Sequence, residues 1–174
     1  FLAEQMELRE GLAEVRDSVK TSSFASIIPY GELRISPLPL FNIHARANYV
    51  LSGESYQADY HLYALAKLEI LRKKPYKTAF NFLLQLDNHE APYFYQHYFS
   101  NHFQWNNSFS KVSTNKVSAF ITQKTLRLGA DFIRMSDYVY IGDDTLPAQH
   151  NPGISLFKAY FDYLFRIGKF DLNT

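Results

Sequence analysis

Apolar and polar positions recur with two different periods along the chain, and the change of period divides it. Over residues 1 to 21, Leu8, Leu12, Val15 and Val19 follow 4-3-4 spacing with Phe1 extending the series, while Glu4, Glu7, Arg9, Glu10, Glu14, Arg16 and Asp17 take the other faces. That spacing predicts an N-terminal helix whose seam packs on its own domain or on a copy of itself. Residues 22–75 then predict a layer of loop and helix. Ser22, Ser23, Ser26, Pro29, Gly31, Pro37 and Pro39 interrupt any regular element up to residue 39, so a connecting loop is expected there. A second helix is expected from near Pro39 through Leu51, ended by Gly53. A third is expected over Tyr56 to Lys73, capped by Ser52 or Ser55, with Tyr60, Tyr63, Ala64, Leu68 and Leu71 on one face and Pro75 barring continuation.

From residue 76 to 150 the pattern changes to short runs rich in aromatic and β-branched residues, at 78–86, 92–99, 116–122 and 131–141. Polar turn residues separate them: Asp87-Asn88, Ser100-Asn101, Ser113-Thr114-Asn115 and Gly142-Asp143-Asp144. This is strand punctuation, and it predicts a small sheet. In the C-terminal segment, 151–170, Phe157, Tyr160, Phe161, Leu164 and Phe165 fit a helix after the Asn151-Pro152-Gly153 turn, and strict alternation leaves a strand open. The expected class is α+β: one domain over residues 1–174, with a long N-terminal helix and further helices packed on a small, mainly antiparallel sheet.

Composition narrows the function classes. The chain of 174 residues carries 18 Lys and Arg against 17 Asp and Glu, a balance that gives no electrostatic footprint for nucleic acid. There is no Cys, which removes disulfides and thiolate chemistry. No run approaches the roughly 18 apolar residues of a membrane-spanning helix. Because the chain opens at Phe1 without Met, it is expected to be part of a longer protein whose flanking segments enter a membrane.

Three sets of residues carry candidate chemistry. Asp87, His89 and Glu90 with His97 and His102 offer imidazole and carboxylate together, though at no known metal-site spacing. Gly142-Asp143-Asp144 resembles the paired-aspartate hairpin that holds metal in polymerases, but it reads more simply as a solvated turn. Arg127 and Arg134 flank the later strands, and with Tyr93, Tyr95 and Tyr138 they could hold a small carboxylate- or amine-bearing ligand. No phosphate-cradling glycine loop or nucleophile elbow is present, so neither catalysis nor a resident cofactor is expected.

The leading helix with Leu8, Leu12, Val15 and Val19, followed by aromatic strands at 93–99 and 132–141, resembles the extracytoplasmic PAS-like or Cache-like sensor domains of bacterial membrane receptors. The resemblance implies a periplasmic, non-catalytic sensor of an inner-membrane protein. It would bind a small molecule or a periplasmic protein and signal through a homodimeric N-terminal helix. The alternatives are a soluble intracellular α+β binding domain, or a metal-dependent hydrolase built on Asp87, His89 and His97 or on Asp143 and Asp144.

Overall fold

A computed structural model describes residues 2–10, 20–52, 56–71, 78–100, 102–167 and 170–173. Most of them are strand: β1 (Leu2–Glu10), β2 (Lys20–Ile28), β3 (Tyr30–Leu38), β4 (Phe41–Tyr49), β5 (Tyr60–Leu71), β6 (Thr78–His89), β7 (His97–Phe99), β8 (Gln104–Asn106), β9 (Val112–Gln123), β10 (Leu126–Ser136), β11 (Tyr138–Ile141), β12 (Pro147–His150), β13 (Ile154–Ile167) and β14 (Phe170–Asn173). The one helix among the described residues, α1, is a single turn at Tyr93–Gln96.

Eight strands form one sheet in the order β14-β13-β10-β9-β6-β5-β4-β3, and every neighbouring pair is antiparallel. The path is a meander in which each strand lies beside the next, apart from two excursions. The chain leaves the sheet after β6 to make α1 and the β7–β8 hairpin, and again after β10 to make the β11–β12 hairpin. β1 pairs with β2 in a separate hairpin, and Ile27 at its end bridges to Ser52.

The connections differ at the two ends of the sheet. At one end β3 meets β4 through residues 39–40, and β9 meets β10 through Lys124 and Thr125, with Lys124 at a left-handed φ of 51°. At the other end the linking segments are 50–59, 90–111 and 137–153. The long segments are tied together. Asp59 accepts from Glu90 N at 3.0 Å and from Lys111 Nζ at 2.5 Å; Lys111 also bonds the Gln57 carbonyl, and Tyr56 N donates to Glu90 Oε2 at 2.6 Å. Gln149 joins the last segment to Ser110 by donating to its carbonyl at 2.7 Å. Burial of the Tyr56 phenol raises its pKa above the ordinary value, and the Glu90 and Asp59 carboxylates add to this.

The architecture corrects the α+β expectation. The N-terminal helix expected over 1–21 is strand where it is described, at Leu2–Glu10 and from Lys20; Leu12, Val15 and Val19 lie outside the described residues. The loop expected to residue 39 is β2 and β3, with Pro29 between them; the helix expected over 39–51 is β4, and that over 56–73 contains β5. In the C-terminal segment β13 takes the strand alternative. Of the expected strands, 78–86 falls in β6 and 116–122 in β9, 131–141 spans the end of β10 and all of β11, and 92–99 is split between α1 and β7. The physical reason is tertiary. Each of β4, β5, β6, β9, β10 and β13 has a hydrogen-bonded neighbour on both edges, and such ladders override the helix preference of Ala, Leu, Lys and Glu.

Candidate functional site: an apolar outer face and a polar inner face

Side chains alternate across a strand, so the register sorts every residue of the sheet onto one of two faces. One face is apolar over several rows. Leu33, Ala45, Ala64, Leu84, Val117, Phe132 and Phe157 are linked pair by pair across seven strands, as are Phe41, Leu68, Phe80, Ile121, Leu128 and Phe161 across six. The opposite face carries Glu32, Arg46, Tyr63, Gln85 and Lys116 in one row and Arg34, His44, Leu65, Leu83, Ser118, Asp131 and Lys158 in the next.

Burial runs against the usual order. Ala79 on the polar face is 2% exposed, and the adjacent Phe80 on the apolar face is 47% exposed. Phe82, Val117, Leu128, Phe132, Phe157 and Phe161 are all exposed, while Asn81, Ser118 and Asp131 are buried. At the middle of the sheet Ala79, Asn81, Ser118 and Asp131 are covered by neighbours on their own face, the burial that inward curvature produces, so we infer that this face is the concave one. The convex face is an extended apolar surface far larger than the isolated patches of a water-soluble protein.

Several charges of the concave face are paired locally. Glu32 Oε1 receives Arg34 Nη2 at 2.5 Å and lies 2.8 Å from His44 Nε2; Lys67 Nζ lies 3.2 Å from Glu69, and Lys116 Nζ 3.2 Å from Asp131. Asp87 sits between His61 at 3.7 Å and His89 at 3.6 Å. Asn81 Nδ2 donates to the Phe120 carbonyl at 3.4 Å and to Thr122 Oγ1 at 3.2 Å. Arg46 lies 4.6 Å above the Tyr63 ring. A space of about 490 Å³ opens on this side of β3–β5, with Arg34, Ser36, Asn42, His44 and Lys67 in its lining.

The ligand residues expected from the sequence do not converge. Arg127 is on the concave face near the short-turn end, where it pairs with Thr122 and Asp162 in the register. Arg134, seven residues on, is on the convex face in the row of Leu86, Asn115 and Ser155. Tyr93 and Tyr95 belong to α1 in the long segment 90–111; Tyr93 is tilted against His97 at 5.1 Å, and Tyr95 lines a small recess with Phe94, Tyr98, Trp105 and Ile141. Tyr138 lies on β11, stacked on Tyr140 at 6.3 Å. Of the metal candidates Asp87 and His89 stand together at 3.6 Å, whereas His97 bonds Asn106 at 2.7 Å and Asp144 accepts from Leu146 N within its turn at 3.1 Å. No group of three or more His, Asp or Glu that could hold a metal occurs among the described residues. No motif marks the two inner rows, Glu32 to Lys116 and Arg34 to Lys158, whose only signal in the sequence is alternation.

No described helix is long and apolar enough to cross a membrane, a statement that does not concern strands. The described strands have the length and patterning that a membrane requires of strands. The 12 residues of β6 extend about 40 Å, or about 30 Å along the normal at the usual tilt of about 40°. No curated protein and no solved structure matches the chain. The model of one protein family does match, over residues 9–174, and its description is "Putative porin". The helix-transmitting PAS-like or Cache-like sensor is thereby overturned. An extracytoplasmic setting agrees with the family, whereas the inner-membrane placement does not follow from it. With alternation, strand length and a match over nearly its whole length in agreement, the chain belongs to the porin family so described.

Proposed function

We propose that this chain forms part of the wall of an outer-membrane β-barrel pore that passes small hydrophilic solutes by diffusion. The observation that carries the reading is the sorting of the two faces: Phe and Leu exposed on the convex side meet lipid, and the polar rows of the concave side, covered at Asn81, Ser118 and Asp131 and open at Arg34, Arg46 and Lys158, face a water-filled lumen. Backbone groups within hydrocarbon must be paired, and a meander of antiparallel strands pairs them between neighbours. The short connections then lie on the periplasmic side and the segments 50–59, 90–111 and 137–153 on the outer side.

Two details support this orientation. Tyr49 and Tyr60 pair on the convex face at the long-segment end, where aromatic residues settle at a membrane interface. The upper limit of the apolar band also crosses the register obliquely. In one row Ala47 and Leu62 are apolar whereas Asn115, Arg134 and Ser155 are polar, as tilted strands require. Arg134 therefore reaches headgroup level, above Phe132.

Permeation in this reading needs no catalysis, metal or cofactor. The test is reconstitution of the purified protein into planar bilayers. Stepwise conductance that grows with added protein supports the pore; intact, folded protein that never conducts rejects it.

A further inference from the structure

The cations of the concave face fall into two groups. Arg34, Lys67 and Lys116 each touch a carboxylate, at Glu32, Glu69 and Asp131. Arg127 does not. It lies 4.6 Å from the centre of the Phe120 ring and 4.9 Å from that of Tyr160, and Nη2 donates to the Tyr160 hydroxyl at 3.4 Å. Asp162, its register partner on β13, makes no ion pair with it among the described residues.

Gly129 creates this arrangement. It pairs with both Phe120 and Tyr160, and a Cβ there would stand 2.5 Å from Phe120 Cβ and 2.8 Å from the Tyr160 hydroxyl. Only the missing side chain lets the two residues close over β10 and hold the guanidinium between them. Two rings fix its plane while leaving most of its five N–H donors free, and Lys158 adds a second positive charge 5.6 Å from the Tyr160 ring. A planar fork held in place without a carboxylate suits a bidentate oxyanion, and a carboxylate has that geometry.

We propose that Arg127, clamped between Phe120 and Tyr160 beside Lys158, is a binding subsite on the pore wall for small organic carboxylates. The proposal rests on the porin reading for its place in a lumen, and it identifies the class of solute the wall favours. Arg46 on Tyr63 repeats the cation-on-ring arrangement with one ring only, and so supplies a comparison position.

The probe is sodium benzoate, applied in two ways to the full protein and to Arg127→Gln, Arg127→Lys and Arg46→Gln. One is block of the conductance in bilayers; the other is calorimetric titration of detergent-solubilised protein, which needs no open pore. Arg127→Gln is expected to weaken both block and binding by about tenfold, the cost of a charge-assisted hydrogen bond. Arg127→Lys, which keeps the charge and loses the fork, is expected to leave the reversal potential unchanged but to bind benzoate several-fold more weakly. Arg46→Gln is expected to leave binding within twofold. Benzoate binding that is undiminished in a folded Arg127→Gln protein, or absent from the wild type, overturns the subsite even if the protein conducts. Arg127-dependent binding by a protein that never conducts upholds the subsite and removes the pore instead.

Discussion

Asn81 and Phe82 are consecutive in β6, and their environments are the reverse of those in a water-soluble protein: the amide is 7% exposed and the phenyl ring 51% exposed. Asn81 has its amide nitrogen bonded within the sheet, and Phe82 faces outward in a row with Ala66 and Ala119. A wall between lipid and an aqueous lumen accounts for both at once.

The first prediction follows from that pair. Phe82→Arg places a charge near the middle of the apolar band and is expected to destabilise the protein in lipid by about 2–4 kcal/mol. Gln85→Arg, on the concave face of the same strand, is expected to cost well under 1 kcal/mol. Reversible denaturant titration in vesicles measures both, and equal costs would mean that the two faces meet the same medium.

Gly129 is expected to tolerate nothing larger. With Phe120 Cβ, the Ala119 carbonyl and the Tyr160 hydroxyl all within 2.8 Å of an added Cβ, Gly129→Ala should cost about 1–3 kcal/mol through overpacking. Combining it with Tyr160→Phe should recover part of that loss, because the hydroxyl is one of the three clashing groups. Strict additivity of the two substitutions would show that the contact is not made.

The outer segments are expected to depend on Asp59. Asp59→Ala removes the acceptor of Lys111 Nζ and of Glu90 N, and should weaken the local structure by about 1–3 kcal/mol. Hydrogen exchange should then quicken at Tyr56 and Glu90 while the central amides of β6 keep their protection. Lys111→Ala should cost less in the Asp59→Ala background than alone, since the ion pair is already gone and only the bond to the Gln57 carbonyl remains to be lost.

Much of the sheet was legible in the sequence between residues 76 and 141, where aromatic and β-branched residues cluster between turn signals. The strands before it were hidden by two effects. Tyr60, Leu62, Ala64, Ala66, Leu68 and Ile70 do alternate, but Ala and Leu are strong helix formers, and Tyr63 and Leu65 on the other face made β5 read as a helix apolar on most sides. Leu65 and Leu83 pair on the concave face, as do Ile133 and Leu156, so the inner face is not uniformly polar and the period of two is blurred. A membrane-spanning helix shows as one long apolar run, and strands never supply such a run. Arg127 was legible as a candidate cation, but its partners were not, because Phe120 and Tyr160 come from the strands on either side and meet only over Gly129.

The most direct test of the inverted wall uses the absence of Cys from the chain. Single cysteines placed in turn from Ala79 to Leu86 in the membrane-reconstituted protein would be treated with a water-soluble, membrane-impermeant thiol reagent and, separately, spin-labelled to measure contact with oxygen dissolved in lipid. Labelling from water is expected at 83 and 85, oxygen contact at 80, 82, 84 and 86, and neither at 79 and 81, which their neighbours cover. Uniform labelling along the strand, or water access at the Phe80 and Phe82 positions, would contradict the inverted wall.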